Sequence, residues 1–351
     1  MDNMKYAEEE LLRVARQGDE AAFVALVKPL RSELHRHCYR MLGSPDDADD
    51  AVQEALLRAW KALPRFRGDA SIRTWMFKIT TNTALDVASA RARRELPVDL
   101  SAPNQPGGSA VAEIAWIGPY PTSYLDGSAQ DPGASLASRE TIELAYITAL
   151  QHMPVHQRAV FILREVLAFR ASEVAEILET TVPSVNSSLQ RARAIVAERA
   201  PASQATELDL LGEANVRELA SKYAAAIEHA DIDALLALLT QDASWSMPPE
   251  PGWFRGSEDV ARFLCEDVFP NRWRHVITSA NGQLAVAGYI FDSKSEDFIA
   301  CALDVLEIRS GKISSVTGFL TPYAMGPDYL WPKDAPRGLF ERFGLPDRLE
   351  V

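Results

Sequence analysis

Cysteine is scarce in this chain. There are three in 351 residues, Cys38, Cys265 and Cys301, far apart along the sequence. That spacing excludes a disulfide framework and argues for a reducing compartment. Long apolar runs are missing as well: none approaches the roughly 20 residues needed to cross a bilayer. The opening Met1-Asp2-Asn3-Met4-Lys5 lacks the apolar centre of a secretion signal. A cytoplasmic protein with no membrane anchor is expected. His35, His37 and Cys38 lie close together, but no second ligand cluster follows at zinc spacing. They read as helix residues, so no metal and no cofactor is expected.

Excess positive charge is also absent, with a net charge of −13. Its distribution is uneven. Residues 1–96 hold 16 Lys and Arg against 15 Asp and Glu, residues 139–200 hold 7 against 7, and residues 97–138 hold none against 4. Residues 201–351 hold 13 against 23, so most of the acidity lies in the last part. Residues 1–96 and 139–200 are thus near neutral, and near-neutral segments release few counterions from a polyanion, so neither would hold nucleic acid strongly without a larger partner.

The chain divides by pattern. Residues 1–96 are helical and rich in Ala, Leu and Arg. Residues 97–138 form a Pro/Gly-rich acidic linker with no regular domain, although Trp116 to Pro121 is an apolar island expected to dock on something. Residues 139–200 are helical again, residues 201–212 form a short connector, residues 213–325 mix helices with alternating strands, and residues 326–351 are a tail.

The most informative segment is 171–193. Val174, Ile177 and Leu178 share one helical face, Glu179-Thr180-Thr181 is a short turn, and Thr181 can cap the next helix. Pro183 sits near that helix's start, where its missing N–H costs nothing. The helix then buries Val185, Leu189 and Ala192, leaving Asn186, Ser187, Ser188, Gln190 and Arg191 outward. Small polar residues plus Arg suit base edges and phosphates, as in the second helix of a helix-turn-helix. The plainer reading is a two-helix hairpin of a larger bundle.

In the first part, Gly43-Ser44-Pro45 restarts a helix on which Val52, Leu56 and Trp60 share a face. Asp46, Asp49, Gln53 and Arg58 can take the solvent side. A break at Phe66-Arg67-Gly68-Asp69-Ala70-Ser71 precedes a helix through Arg73, Trp75, Ile79, Asn82 and Leu85, which ends in the basic run Arg91, Arg93, Arg94.

These three motifs, in this order and spacing, resemble the extracytoplasmic-function RNA polymerase sigma factors of the sigma-70 family. Residues 1–96 resemble their sigma-2 domain and residues 139–200 their sigma-4 domain. The resemblance implies a subunit that binds core RNA polymerase and starts transcription at promoters with −10 and −35 elements. It implies that Asp46, Asp49, Gln53 and Glu54 dock on the clamp helices of the largest polymerase subunit, and that sigma-4 contacts the flap. It further implies that Phe66, Arg67, Gly68, Asp69, Ala70, Arg73 and Asn82, followed by Arg91, Arg93 and Arg94, capture and track −10 DNA. Pro183, Ser184, Asn186, Ser187, Ser188 and Arg191 fall at the positions that read the −35 element. The family often has Arg where Asn186 stands. Asn pairs with adenine and Arg prefers guanine, so −35 sequences of other members do not transfer. The acidic linker, with Asp99, Glu113, Asp126 and Asp131, suits a channel built for RNA.

Beyond residue 200 the pattern is helices, then a strand meander with a hairpin at Ser310-Gly311-Lys312. This suggests an α+β cone with a curved mixed sheet, and it resembles the SnoaL-like fold. Sigma factors carrying such a domain form known subgroups, which the tail near Leu339 to Pro346 also resembles. Trp245, Met247, Trp253, Phe254, Trp273 and Phe319 are candidates to line a pocket for a small ligand or to meet a regulatory protein. Asp242, His275 and Asp304 are the obvious acid-base candidates, but they form no recognisable constellation, and strand acids usually face solvent. No catalysis is expected, and a regulatory role in cis is preferred. Two other readings remain open: a ligand-sensing helix-turn-helix regulator acting without polymerase, and an enzyme of the cone fold.

Overall fold

The computed structural model describes residues 2–91, 93–103, 114–125, 139–199, 203–325 and 338–351. Glu113, Asp126 and Asp131 of the linker lie outside the described residues. The chain forms two compact units, one of residues 1–93 and 149–199 and the other of residues 94–148 and 200–351.

The first unit is helical. Helices α1 (Asp2–Ala15), α2 (Glu20–Val27), α3 (Arg31–Leu42), α4 (Pro45–Ala62) and α5 (Ile72–Ala90) form a first module. Its boundaries follow local chemistry. Gly43 ends α3 in the left-handed conformation, φ 71°, and its N–H reaches the Tyr39 carbonyl. Ser44 accepts from the Asp47 N–H to cap α4, and Pro45 takes the first turn. Ser71 caps α5 through the Thr74 N–H at 3.0 Å. The core between these helices holds Cys38, Tyr39, Met41, Ala48, Val52, Ala55, Met76 and Phe77. His37 is fully buried beside Thr81, at 2.9 Å, and burial lowers its pKa to about 3, so it is a neutral core residue.

A second module follows: the end of α6 (Leu144–Gln151), then α7 (Val155–Phe161), α8 (Ala171–Ile177) and α9 (Val182–Arg199). Thr181 accepts from the Ser184 N–H at 3.3 Å, as a cap for α9. Val174 and Ile177 of α8 meet Val185, Leu189 and Ala192 of α9, all buried.

The second unit contains α10 (Gln204–Leu211), α11 (Glu213–Glu228), α12 (Ile232–Leu238) and α13 (Ser257–Phe263) against a seven-stranded sheet. The strands are β1 (Leu239–Ser246), β2 (Trp253–Arg255), β3 (Trp273–Ala280), β4 (Gln283–Asp292), β5 (Asp297–Arg309), β6 (Lys312–Leu320) and β7 (Arg348–Leu349). Their order is β2-β1-β6-β5-β4-β3, with β7 added to β5; β1 and β6 run parallel and the other pairs are antiparallel. The core on the helix side includes Tyr223, Ile227, Trp245, Phe263, Val286, Leu306 and Val316. The tail straps the other side: Phe340 is buried edge-on against Tyr289, whose hydroxyl donates to the Pro346 carbonyl at 3.0 Å.

The apolar island of the linker docks on the β3–β4 turn. Trp116, Ile117 and Tyr120 are buried. Asn281, fully buried at φ 55°, donates its backbone N–H to the Tyr120 carbonyl, accepts the Tyr120 N–H, and donates Nδ2 to the Ile142 carbonyl. Replacing Asn281 by Ala strands a buried N–H and a buried carbonyl, each costing about 1–3 kcal/mol. The unfolding midpoint of Asn281→Ala in urea is therefore expected to fall by at least the equivalent of about 2 kcal/mol.

Candidate nucleic-acid interface and a second cavity

The outward face of α9 is open. Pro183, Ser184, Asn186, Ser187, Gln190 and Arg191 are exposed and Ser188 is half-buried. Arg191 rests on the Ser188 hydroxyl at 3.3 Å, a contact weak enough to exchange for a phosphate or a base. Arg193, one step round, is held by Glu165 at 2.8 Å.

The residues before and along α5 are placed differently. Arg67, Gly68 and Asp69 are exposed and Ala70 is half-exposed, in a loop that turns at Gly68 with φ 83°. Phe66 is buried and packs at a tilt against the half-buried Trp75, centroids 4.7 Å apart. Trp75 thus serves as a wall for Phe66. Arg73 is occupied: its guanidinium pairs with Glu33 at 2.6 Å, reaches the Leu167 carbonyl at 3.4 Å, and lies 4.4 Å from the Phe169 ring centroid. Asn82 is half-buried in a cleft shared with Asp86, Ser89, His156, Leu178 and Glu179. Lys78 pairs with Glu179 at 3.2 Å. The second helical module therefore covers part of the α5 face that carries Arg73 and Asn82.

The basic run does not stay together. Arg91 pairs with Asp47 and Arg93 meets His152 at 2.9 Å. Arg94 is buried, donating to the Trp116 carbonyl at 2.6 Å, and belongs to the other unit. On α4, Gln53 and Glu54 are exposed, while Asp46 and Asp49 are half-buried. Asp49 pairs with His35 at 3.1 Å, and Glu54 holds Arg58 at 2.8 Å. Beside them Leu57 is 54% exposed. Leu57 is not among the sequence candidates; α4 buries Ala48, Ala51, Val52, Ala55 and Ala59, while Leu56 and Trp60, expected on the core face with Val52, are only half-buried.

In the second unit, a small cavity lies between the helices and the concave sheet face. Trp245, Met247 and Trp273 line it, together with Phe263, His275 and Asp304. Trp253, Phe254 and Phe319 are not in its lining. Trp253 donates to the Ser101 carbonyl at 3.0 Å, Phe254 stacks on Phe263, and Phe319 alternates with Gly318 and takes the opposite face. Asp242 is exposed and pairs with Arg309. Asp304 corrects the expectation that strand acids face solvent. It is buried, accepts the Tyr223 hydroxyl proton at 2.8 Å, and burial pushes its pKa up to about 6. His275 sits across the cavity, with Nδ1 3.1 Å from Glu228 Oε1; that hydrogen bond holds the Glu228 carboxyl below the usual range.

A first module with an acidic helix and a loop of polar and aromatic groups, followed by a second module ending in a capped helix-turn-helix, defines a promoter-reading protein. Comparison with known sequences and structures agrees. The Sigma-70 region 2 family matches residues 26–94, the Sigma-70 region 4 family residues 143–196, and the SnoaL-like domain family residues 220–316. The chain is 39% identical over 340 residues to the ECF RNA polymerase sigma factor SigG of Mycobacterium tuberculosis, covering 95% of this chain and 86% of that one. It is 30% identical over 186 residues to the ECF RNA polymerase sigma-E factor of Escherichia coli K12, covering 52% of this chain and 88% of that one. The crystal structure of the extracytoplasmic function sigma factor SigJ of Mycobacterium tuberculosis shares the fold, with a TM-score of 0.55 at 22% identity, over 86% of this chain and 98% of that one. The chain belongs to the ECF RNA polymerase sigma factors. It binds core RNA polymerase and promoter DNA and directs promoter-specific transcription initiation; it is not an enzyme. These matches lend no support to a regulator acting without polymerase.

Proposed function

We propose that the exposed face of α9 reads the −35 element through Asn186, Ser187, Ser188 and Arg191, with Pro183 and Ser184 setting the helix start against the backbone. The loop Phe66 to Ala70, with Arg73 and Asn82, captures −10 DNA, and Arg91 and Arg93 track its phosphates. Buried Arg94 acts at most through the chain path that follows α5. Asp46, Asp49, Gln53 and Glu54, with Leu57 beside them, dock on the clamp helices of the largest polymerase subunit, and the second module contacts the flap. The protein works in the cytoplasm, where the polymerase is. Its SnoaL-like domain and tail regulate activity in cis.

One observation gives this reading its mechanism. Arg73 and Phe77 on α5 touch Phe169 and the Leu167 carbonyl of the second module. The elements named −10 and −35 lie about 25 base pairs apart, roughly 85 Å at 3.4 Å per step. Two modules in side-chain contact cannot read both at once. The contact belongs to a resting state, and polymerase binding must part the modules to free Arg73 and the Asn82 cleft. The stretches of linker on either side of the docked island supply the length for this, at roughly 3.3–3.6 Å per residue when extended. A sigma factor that rests this way binds promoter DNA poorly until polymerase selects the open form.

The −35 assignment has a direct test. With core polymerase, Asn186→Ala is expected to lower run-off transcription from a matched promoter by about 10- to 100-fold, corresponding to roughly 1–3 kcal/mol for one bidentate base contact. The preference should relax at one base position only. Loss of preference at several positions, or none at any, would remove Asn186 from the reading face.

A further inference from the structure

The cavity of the second unit combines aromatic walls with a polar floor of unusual chemistry. Trp273 is pinned by its indole N–H to the Val268 carbonyl at 2.8 Å. Trp245 lies tilted against Phe263, and Tyr223 stacks on its other neighbour side at 6.1 Å. The floor is made by register. His275 on β3 stands opposite Gly288 on β4, and Asp304 on β5 stands opposite Gly318 on β6, so two glycines leave room for two polar side chains. At Gly318 the fit is tight: a Cβ there would stand 2.6 Å from Asp304 Oδ1.

The polarity of the floor follows from its hydrogen bonds. The Tyr223 hydroxyl already donates its hydrogen bond to Asp304 Oδ2. Glu228 Oε1 accepts from the His275 backbone N–H at 2.7 Å and faces Nδ1 at 3.1 Å, so the tautomer that satisfies Glu228 carries its ring proton on Nδ1. Asp304 Oδ1 and His275 Nε2 are left as acceptors, and no described side chain donates to either. A floor of acceptors does not suit a carbonyl or an anion. It suits a donor, and an ionised Asp304 among aromatic rings suits a cationic one, which draws on the carboxylate and on the ring faces together.

We propose that this cavity binds a small primary amine, with its ammonium group against Asp304 and His275 and its hydrocarbon body against Trp245, Trp273 and Phe263. The space is about 60 Å³, well under the roughly 150 Å³ of a cavity that takes a benzene ring, which limits the occupant to a chain of about three heavy atoms. The protein keeps there a buried carboxylate that burial holds up to about 6 and that has one protein donor. Such a group costs stability unless a ligand completes it. The site itself stands on this geometry. Only its consequence for transcription rests on the regulatory reading of the domain.

Calorimetric titration of the full chain at pH 7.5 with ethylamine, ethanol and acetonitrile tests this. Ethylamine is expected to bind at least tenfold more tightly than either neutral analogue. Asp304→Asn should abolish that preference while ethanol binds as before. Gly318→Ala, which displaces the carboxylate without removing it, should weaken ethylamine at least tenfold. Equal binding of the three molecules to the unaltered chain, no binding of any, or an unchanged preference in Asp304→Asn overturns the proposal, and the first two need no variant to fold. A run-off transcription arm separates the two ideas. Amine binding with unchanged transcription leaves the site standing and counts against regulation in cis, whereas transcription altered by tail removal without amine binding does the reverse.

Discussion

Gln53→Lys with Glu54→Lys is expected to weaken binding to core polymerase by at least about 100-fold, because setting like charge against a basic partner costs several kcal/mol. Both side chains are exposed on the middle of α4, so reversal touches no core. Within the free chain it removes the Glu54–Arg58 pair, an exposed i,i+4 contact worth about 0.3–0.5 kcal/mol. The urea midpoint should therefore hardly move while polymerase affinity collapses. Fluorescence anisotropy of the labelled chain against core polymerase gives the readout. The residual affinity should rise with salt, as repulsion is screened, whereas the unaltered chain should weaken. Full affinity in the double variant would move the docking face off α4.

Arg158→Ala is expected to cost about 3–5 kcal/mol, the range for breaking a buried charged network by removing one partner. The guanidinium is buried, and burial lowers its pKa to about 10, which leaves it charged at neutral pH. It donates to Gln151 Oε1 at 2.7 Å, to the Gln151 carbonyl at 3.0 Å, to the Met153 carbonyl at 3.3 Å, and to the Met41 carbonyl. Three of these bonds lock the α6–α7 turn. The fourth crosses from α7 to the end of α3 and ties the two helical modules together. Removing the side chain strands four acceptors in a dry place, each short of its donor. A loss of this size is a large share of the roughly 5–15 kcal/mol that holds a domain folded. Arg158→Lys should recover only part, because one ammonium cannot fork to both sides. Urea unfolding of the three chains gives the comparison; a loss under about 1 kcal/mol in Arg158→Ala would mean water replaces the network.

Much of the helical part was legible because its signals are local. Ser44, Ser71 and Thr181 cap the helices they precede, and Val185, Leu189 and Ala192 are the buried stripe that the spacing predicts. The Ser310–Gly311 turn, with φ of 54° and 74°, joins β5 to β6 as its composition suggests. Less legible were contacts whose partners are far apart in sequence. Arg94 looks like one of three phosphate-facing arginines, yet it turns inward to Trp116, 22 residues on. Arg73 looks free for DNA, yet Phe169 and the Leu167 carbonyl hold it. Asp304 looks like a solvent-facing strand acid, and only Tyr223, 81 residues earlier, and the missing side chain of Gly318 explain its place inside. The parity of β6 puts Phe319 on the far face, which periodicity allows but cannot choose without knowing which face the helices cover. Among the docking candidates, charge pointed to Gln53 and Glu54, while the exposed Leu57 beside them needed the helix in three dimensions.

Everything functional turns on whether the two helical modules rest against each other and must separate to start transcription. Lys78 and Glu179 mark the contact at 3.2 Å, one on each module. In a Cys265→Ser background, which leaves only the buried Cys38 and Cys301, Lys78→Cys with Glu179→Cys can be joined by a short bis-maleimide. Run-off transcription with core polymerase is then compared before and after joining. The joined chain is expected to bind polymerase more weakly and to lose at least about tenfold of its transcripts, a population shift of roughly 1.4 kcal/mol or more. Equal transcripts from the joined and unjoined chains would contradict the account, because they would mean both promoter elements are served without the modules parting.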